Sequence, residues 1–343
     1  VKALPSVPDA VLIAVPRVSV EATVLECAEA GVGGVVIFAS GYHETGIPER
    51  TREQERLTAI ARETGIRIIG PNCMGIANFL RGAVISFASG EIPRTPTGKP
   101  GIGVISQSGA MGFGLAQGVN RGIAMSHVIT MGNASDINVN DAIAFLADDP
   151  DCTAIACLFE GMSDPEQLLE AGEIAWKANK PVLMCKMGNS EEGAAAAASH
   201  TGSLAGSEAA YRAAADRAGI IMLDNLETLL ETTAFFAKAP RRPKARGVAV
   251  MSSSGGAGII SADFASKHGI KLPQPPEAVA KVLKAIIPDF VKPRNPLDVT
   301  AMVSAHLDLT KGAFEALAGC EDYGVLIYPT VGTNAATVTR LPH

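Results

Sequence analysis

The sequence is poor in charge: Lys, Arg, Asp and Glu make up 19% of its 343 residues, and no long run of Lys or Arg occurs in it. With a formal net charge of −6 it lacks the electrostatic footprint that grips a nucleic-acid backbone or an anionic membrane. No apolar stretch approaches the roughly 18–20 residues that span a bilayer, and no charged-then-apolar leader precedes the first apolar run. A soluble, cytoplasmic protein acting on small molecules is expected, with neither nucleic acid nor membrane as partner. The six cysteines (Cys27, Cys73, Cys152, Cys157, Cys185, Cys320) never form C-x-x-C, and several fall inside apolar runs such as CTAIACLF. Reduced core thiols are expected from that spacing, and no metal site is assigned to the chain. Three signatures are also missing. There is no G-x-x-x-x-G-K-[ST] loop for a nucleotide. A G-x-S-x-G elbow fails because Ser106 and Ser252 stand where the first Gly is needed. No G-x-G-x-x-G is followed about 20 residues later by an acid at a strand end, which counts against a nicotinamide-dependent dehydrogenase.

What the sequence does have is apolar mass and glycine: 47% hydrophobic residues and 35 glycines, a composition suited to sheets covered on both faces and to tight strand-to-helix turns. The length implies two or three domains. Short β-branched runs alternate with helical patterns, the mark of βαβ units and parallel sheets. In the first region AVLIAV, GVVIFAS and IRIIG read as strands; in the second GIGVIS, MSHVIT, TAIACLF and KPVLMCK, each followed by a helix; in the third GVAVMS and a run near 323–328, with a helix over 276–287 between them. Pro- and Gly-rich SGEIPRTPTGKP (89–100) and basic KAPRRPKARG (238–247) read as linkers. The domains are therefore placed at 1–95, 100–238 and 246–343. The chain begins without Met and enters a strand almost at once, so an upstream part of the first domain is expected. The third domain needs one or two further strands. The openings of the second and third regions, GVISQSGAMGFG and AVMSSSGGAGII, resemble each other as two copies of one doubly wound sheet would.

In SQSGAMG (106–112) an apolar strand ends in small hydroxyl and glycine residues and a helix follows at once; SGGAG (254–258) repeats the arrangement. Such a turn presents backbone N–H groups and the positive end of a helix dipole at the carboxyl edge of a sheet, where an anion can sit. Ser106, Gln107, Ser108 and Gly109 are the candidates in one loop, and Ser254, Gly255, Gly256, Ala257 and Gly258 in the other. A tight turn with no ligand is the alternative for each. His200 stands in NSEEGAAAAASHTGSLAGSE, a run of small residues flanked by Gly193, Gly202 and Gly206. His43, His127, His268, His306 and His343 have no second catalytic element beside them and are read as surface or capping residues.

SHTGSLAG, together with SQSGAMG, GPNCMGI (70–76) and LFEG (158–161), resembles the NDP-forming acyl-CoA synthetase superfamily, which includes succinyl-CoA synthetase; the layout is similar to that of ADP-forming acetate–CoA ligases. The resemblance covers nearly the whole chain with the motifs in family order. It implies an α/β protein: a Rossmann-like CoA-binding domain followed by two flavodoxin-like, doubly wound parallel-sheet domains. It also implies that His200 takes a phosphoryl group, that Glu160 hydrogen-bonds and orients its imidazole, and that the two glycine loops hold the phosphohistidine. Ser40, Gly41, Asn72 and Cys73 are the implied CoA or substrate contacts, with a purely structural thiol as the alternative for Cys73. NPLD (295–298) matches a family motif without an assigned role.

The implied activity is reversible: acyl-CoA, ADP and phosphate give a carboxylic acid, CoA and ATP. A neutral imidazole with a free lone pair is required, and a carboxylate accepting from its other nitrogen fixes that tautomer. Once phosphorylated, the side chain carries about two negative charges, which helix ends stabilise by roughly 0.3–2 kcal/mol each. Nothing resembling the family's ATP-grasp portion is present, so ADP or ATP with its Mg2+ is expected on a separate subunit or a C-terminal extension, and an oligomer is expected. The other possibility is a non-catalytic acyl-CoA-binding regulatory module; the presence of both His200 and Glu160 argues against it.

Overall fold

The computed structural model describes residues 3–88, 100–162, 165–201, 208–239, 243–300 and 307–329. The chain divides into two compact units, 1–240 and 241–343.

The first unit opens with β1 (Ala10–Ile13), α1 (Arg17–Glu29), β2 (Gly34–Ile37), α2 (Pro48–Thr64) and β3 (Arg67–Ile69). The three strands form a parallel sheet in the order β1-β2-β3. α2 is bounded as its sequence dictates: Pro48, with φ already set for a helix, starts it, and Gly65 (φ 79°) ends it in the left-handed conformation. Its Leu57, Ile60 and Ala61 join Val20 and Val24 of α1 over Val35, Ile37 and Ile68.

A hairpin, β4 (Gly75–Asn78) and β5 (Ala83–Ser86), follows. From sequence it falls inside the first domain, yet its partner is elsewhere. β4 pairs antiparallel with β7 (Met125–Thr130), Ile76 lying opposite Ile129, so the hairpin extends the second sheet and covers the edge of β7. That sheet holds β6 (Gly101–Ser106), β7, β8 (Cys152–Phe159), β9 (Val182–Lys186) and β10 (Ile221–Leu223) as parallel strands, in the order β10-β9-β8-β6-β7-β4-β5. Numbered among themselves, the five parallel strands run 2-1-3-4-5, the flavodoxin-like order, whose direction reverses between β6 and β8.

All six residues of β6 are buried, as are seven of the eight in β8, which is why these strands read as unbroken apolar runs rather than alternating ones. Ile105, Cys157 and Phe159 face α4 (Val139–Asp148), α5 (Pro165–Lys177) and α7 (Glu208–Ala218). Val104, Ala156 and Leu158 face α3 (Gly109–Ala116) and α8 (Leu226–Lys238) on the other side. Between β9 and α7 lies α6 (Glu191–Thr201).

The second unit has a parallel sheet in the order β12-β11-β13, formed by β11 (Gly247–Ser252), β12 (Leu297–Asp298) and β13 (Tyr323–Ile327), with α9 (Gly255–Lys267), α10 (Glu277–Ile286) and α11 (Leu307–Ala318). Its first strand is central, as β6 is in the larger sheet. Asn295 of the NPLD segment is buried and ties the unit together. Its Nδ2 donates to Val248 O (2.7 Å) and Pro273 O (2.9 Å), and its Oδ1 accepts from Val250 N (2.9 Å).

All six cysteines are buried and unbridged. His127 differs from the surface reading: it is 5% exposed on β7, with Asn78 Nδ2 donating to its Nε2 at 2.7 Å. His268 is the C-cap of α9. His306 and His343 lie outside the described residues. Among those described, no helix is long and apolar enough to cross a membrane.

Candidate active site

The reversal of strand order puts the ends of β6 and β8 side by side, Ser106 opposite Leu158, and the two loops that leave there are knitted by one side chain. Gln107 Oε1 accepts from Glu160 N (2.6 Å) and Gly161 N (3.2 Å), and its Nε2 donates to Gly161 O (2.9 Å). Gln107, expected from sequence to touch phosphate, spends its side-chain oxygen on fixing the peptide that carries Glu160. Ser106 is likewise committed: it is fully buried, and its hydroxyl donates to Ser108 O at 2.6 Å. Ser108 and Gly109 are arranged differently. Ser108 is the N-cap of α3 without a side-chain capping bond, and the first helical bond of that end runs from Gly112 N to Ser108 O. The amides of the first turn are thus left for another acceptor. Gly109 is required by close packing, since a Cβ there would lie 2.5 Å from Met74 Cγ.

A cavity of about 320 Å3 opens over this turn, lined among others by Ser40, Asn72, Cys73, Ser108, Gly109 and Glu160. Phe38 and Phe87, packed edge to face at 4.7 Å, form an apolar wall. The GPNCMG segment therefore meets the α3 turn at one cavity. Asn72 (φ 59°) is held by its amide on Ala39 O (3.0 Å) and by Nδ2 on Asn133 Oδ1 (3.3 Å). Asn133 Nδ2 donates to Glu44 Oε2 (2.6 Å) and Gln54 Oε1 (2.8 Å). The Glu44 carboxylate in turn accepts from Gly41 N (2.6 Å) and Tyr42 N (3.0 Å). Gly41 accordingly has its amide engaged within the protein and shapes the loop (φ 96°) rather than lining the cavity. Cys73 is 2% exposed; its thiol donates to Ile37 O (3.4 Å), and burial pushes its pKa up to about 12. The Cys73 thiol is thus held within the protein by that bond and by its burial.

A second cavity, about 290 Å3, shares Gln107, Gly132 and Asn133 with the first and is otherwise lined mostly by neutral side chains such as Gln54, Thr58, Ser135 and Asn138. Gly132 permits the close approach here: a Cβ on it would stand 2.2 Å from Asn72 O.

From sequence the small-residue run around His200 reads as a loop, but residues 191–201 form α6, because an alanine run is the strongest helix former once an N-cap is supplied. Ser190 Oγ supplies it, accepting from Gly193 N at 2.9 Å. His200 is the next-to-last residue of α6; its side chain and residues 202–207 lie outside the described part. One further residue at this edge stands out in the sequence as a lone charge in an apolar run. Lys186 closes the otherwise apolar strand VLMCK and is buried, its Nζ on Met187 O (2.9 Å) and Gly188 O (3.1 Å). Glu44 and Asn133 carried no such signal, since their partners are distant in sequence.

In the second unit, Ser254 is the N-cap of α9 without a side-chain capping bond, and Gly255, Gly256 and Ala257 form the first turn. Gly258 N donates to Ser254 O (3.1 Å). A Cβ on Gly255 would lie 3.0 Å from Asp298 Oδ2, so a carboxylate flanks this turn. Ser252 is fully buried at its strand end as Ser106 is, but its Oγ accepts from Ser254 N at 3.0 Å where that of Ser106 donates to Ser108 O. Among the described residues, no group of three or more His, Cys, Asp or Glu could hold a metal ion.

Residues 99–236 match the family described as a succinyl-CoA ligase-like flavodoxin domain, and residues 1–78 match a CoA binding domain. The alpha subunit of acetate–CoA ligase [ADP-forming] II from Pyrococcus furiosus is 38% identical over 302 residues, 88% of this chain and 64% of that one. Trans-feruloyl-CoA synthase FCS1 from an unknown prokaryotic organism is 33% identical over 342 residues, 99% of this chain and 48% of that one. The chain thus spans about half to two thirds of the length of these relatives. Among solved structures, the dinucleotide-forming acetyl-coenzyme A synthetase 1 of Ca. Korarchaeum cryptofilum, in complex with phosphate and ADP, superposes with a TM-score of 0.85 at 29% identity, covering 96% of this chain and 70% of that one.

Proposed function

The chain belongs to the NDP-forming acyl-CoA synthetase superfamily, and from that premise we propose that it is the CoA-binding and ligase part of an ADP-forming acyl-CoA ligase working through a phosphohistidine at His200. The observation that carries the reading is the cavity over the α3 turn, where Ser40, Asn72, Ser108, Gly109 and Glu160 converge at the switch point of the sheet.

Inorganic phosphate attacks the thioester carbonyl of a bound acyl-CoA; the C–S bond breaks, and CoA leaves as thiol with an acyl phosphate formed. The neutral imidazole of His200 attacks phosphorus, the P–O bond to the acyl group breaks, and the carboxylate departs. Glu160 accepts the N–H of the other ring nitrogen, which holds the tautomer and balances the charge that develops on the ring. Gln107 keeps the peptide of Glu160 in place while this happens. The amides of Gly109 and Ala110, at the positive end of α3, receive the phosphoryl oxygens. Residues 254–258 are the second cradle of the cycle. His200 then gives the phosphoryl group to ADP: the N–P bond breaks as a terminal phosphate oxygen of ADP bonds phosphorus, and ATP forms on an ATP-grasp part, which would also hold Mg2+. Every step is reversible. The acyl group is assigned to the adjoining cavity of about 290 Å3.

The test uses the full-length enzyme with its ATP-grasp part and a panel of acyl-CoA thioesters. Release of free CoA should require both phosphate and ADP and should yield ATP. Release that proceeds without phosphate, or that forms AMP and pyrophosphate, would refute the reading.

A further inference from the structure

Lys186 ends β9 and is 4% exposed. Taking an ammonium out of water is costly unless the charge is met by partners, and the partners here define a role. Its two bonds to Met187 O and Gly188 O, with Asn189 Nδ2 returning a bond to Lys186 O (3.1 Å), close residues 186–189 into one fixed turn. Gly188 (φ 71°) presses that turn against α6: a Cβ there would lie 3.0 Å from Gly193 O and 3.1 Å from Ala197 Cβ. Ser190, the next residue, starts the helix that carries His200. The direction of α6 is therefore set at the Lys186 ammonium.

The same lysine ends its strand beside the residue from which Glu160 follows. Lys186 pairs with Phe159, whose O accepts from Met187 N at 2.8 Å, so Glu160 leaves the sheet beside it. The groups around Nζ come from three elements: Glu160 after β8, Glu208 and Tyr211 on α7, and the turn carbonyls. The Tyr211 ring centre is 5.8 Å away, its hydroxyl is bonded to Met162 N (2.9 Å), and Glu208 is held by Arg212 (2.8 Å). Burial lowers the pKa of Lys186 from its ordinary value, while the negative charges of Glu208 and Glu160 raise it. Attraction is mutual, so the ammonium also favours the ionised form of Glu160.

We propose that Lys186 is a positioning residue for phosphoryl transfer, locking the turn that launches the His200 helix and supplying the buried positive charge that keeps Glu160 ionised. The proposal rests on the reading of His200 and Glu160 given above. Losing the charge removes a stabiliser of the carboxylate form, so the acid limb of phosphoenzyme formation moves to higher pH.

The experiment labels the full-length enzyme with ATP carrying a γ label across a pH series, comparing wild type with Lys186→Met, which is of similar length and uncharged. The expected result is labelling slowed about tenfold or more at acid pH, with the acid limb displaced upward by on the order of one pH unit and CoA affinity unchanged. A rate that falls evenly at every pH with the limb in place denotes a structural role alone and overturns the proposal, as does unchanged labelling. Should Lys186→Met fail to fold, Lys186→Arg keeps the charge and should keep the limb in place at a lower rate; a displaced limb there overturns the proposal. Wild type that takes no label at His200 refutes the underlying reading instead, so the two failures are distinct.

Discussion

Replacing Gln107 by leucine is a sharp perturbation of the site, because both ends of its side-chain amide are bonded to the backbone that carries Glu160. The substitution keeps the approximate bulk and deletes three hydrogen bonds to the backbone of Glu160 and Gly161, at 2.6, 3.2 and 2.9 Å. A typical net contribution of 0.5–1.5 kcal/mol per bond, or 1–3 kcal/mol where a buried group loses its partner, gives a destabilisation of about 2–4 kcal/mol. For a domain of this size that corresponds to a fall of roughly 5–10 °C in the unfolding temperature of the first unit. The kinetic effect should be larger in proportion: a displacement of a catalytic group by about 1 Å costs on the order of a hundredfold in rate. The assays are calorimetric melting and phosphoenzyme formation in the full-length protein, with CoA affinity as the control. Gln107→Leu that melts with wild type and labels at the wild-type rate would show that the clamp does not position Glu160.

Two further outcomes follow from buried groups. Ellman's reagent should modify none of the six buried cysteines of the native chain on the timescale of mixing, and Cys73, raised to about 12, should stay unmodified when acyl-CoA is withheld; prompt reaction of Cys73 would return it to the list of CoA contacts. His127 accepts from Asn78 on Nε2 and so carries its proton on Nδ1; burial lowers its pKa from 6.5, outweighing Asp149 and Asp151. The unfolded chain takes up that proton first, so the associated stability is complete above the unfolded pKa and is lost as pH falls toward the folded one, with a limiting slope of about 1.4 kcal/mol per pH unit. His127→Gln, which keeps an acceptor for Asn78, should have a shallower acid slope in denaturant melts than wild type; identical slopes would contradict the neutral assignment.

What sequence revealed here was chiefly what burial writes into it. β6, β8 and β9 announce themselves because strands covered on both faces need unbroken apolar runs. The α3 turn announces itself because close packing against Met74 leaves little room beyond glycine, and the α9 turn because Gly255 sits tightly against Asp298. The hairpin 75–86 was illegible as part of the second sheet, since its register with β7 is a matter of tertiary pairing between residues some 50 apart. β10 is three residues long, too short for a periodic signal. The role of Gln107 was hidden for a related reason. A glutamine in a glycine-rich turn looks like an anion ligand, and only the proximity of residues 160 and 161 reveals its amide as a clamp. Glu44 was passed over similarly: its carboxylate satisfies the amides of Gly41 and Tyr42, locally, and Asn133, 89 residues away. The glycines that flank the small-residue run before His200 suggest a loop, whereas its five alanines and the Ser190 cap decide for a helix.

The most direct test of the account is the position of the phosphoryl group. Full-length enzyme incubated with γ-labelled ATP, digested under alkaline conditions and mapped by mass spectrometry should carry an acid-labile phosphate on the peptide containing His200, absent in His200→Asn and strongly reduced in Glu160→Gln. Label on any other residue, or full labelling and turnover in His200→Asn, would contradict it.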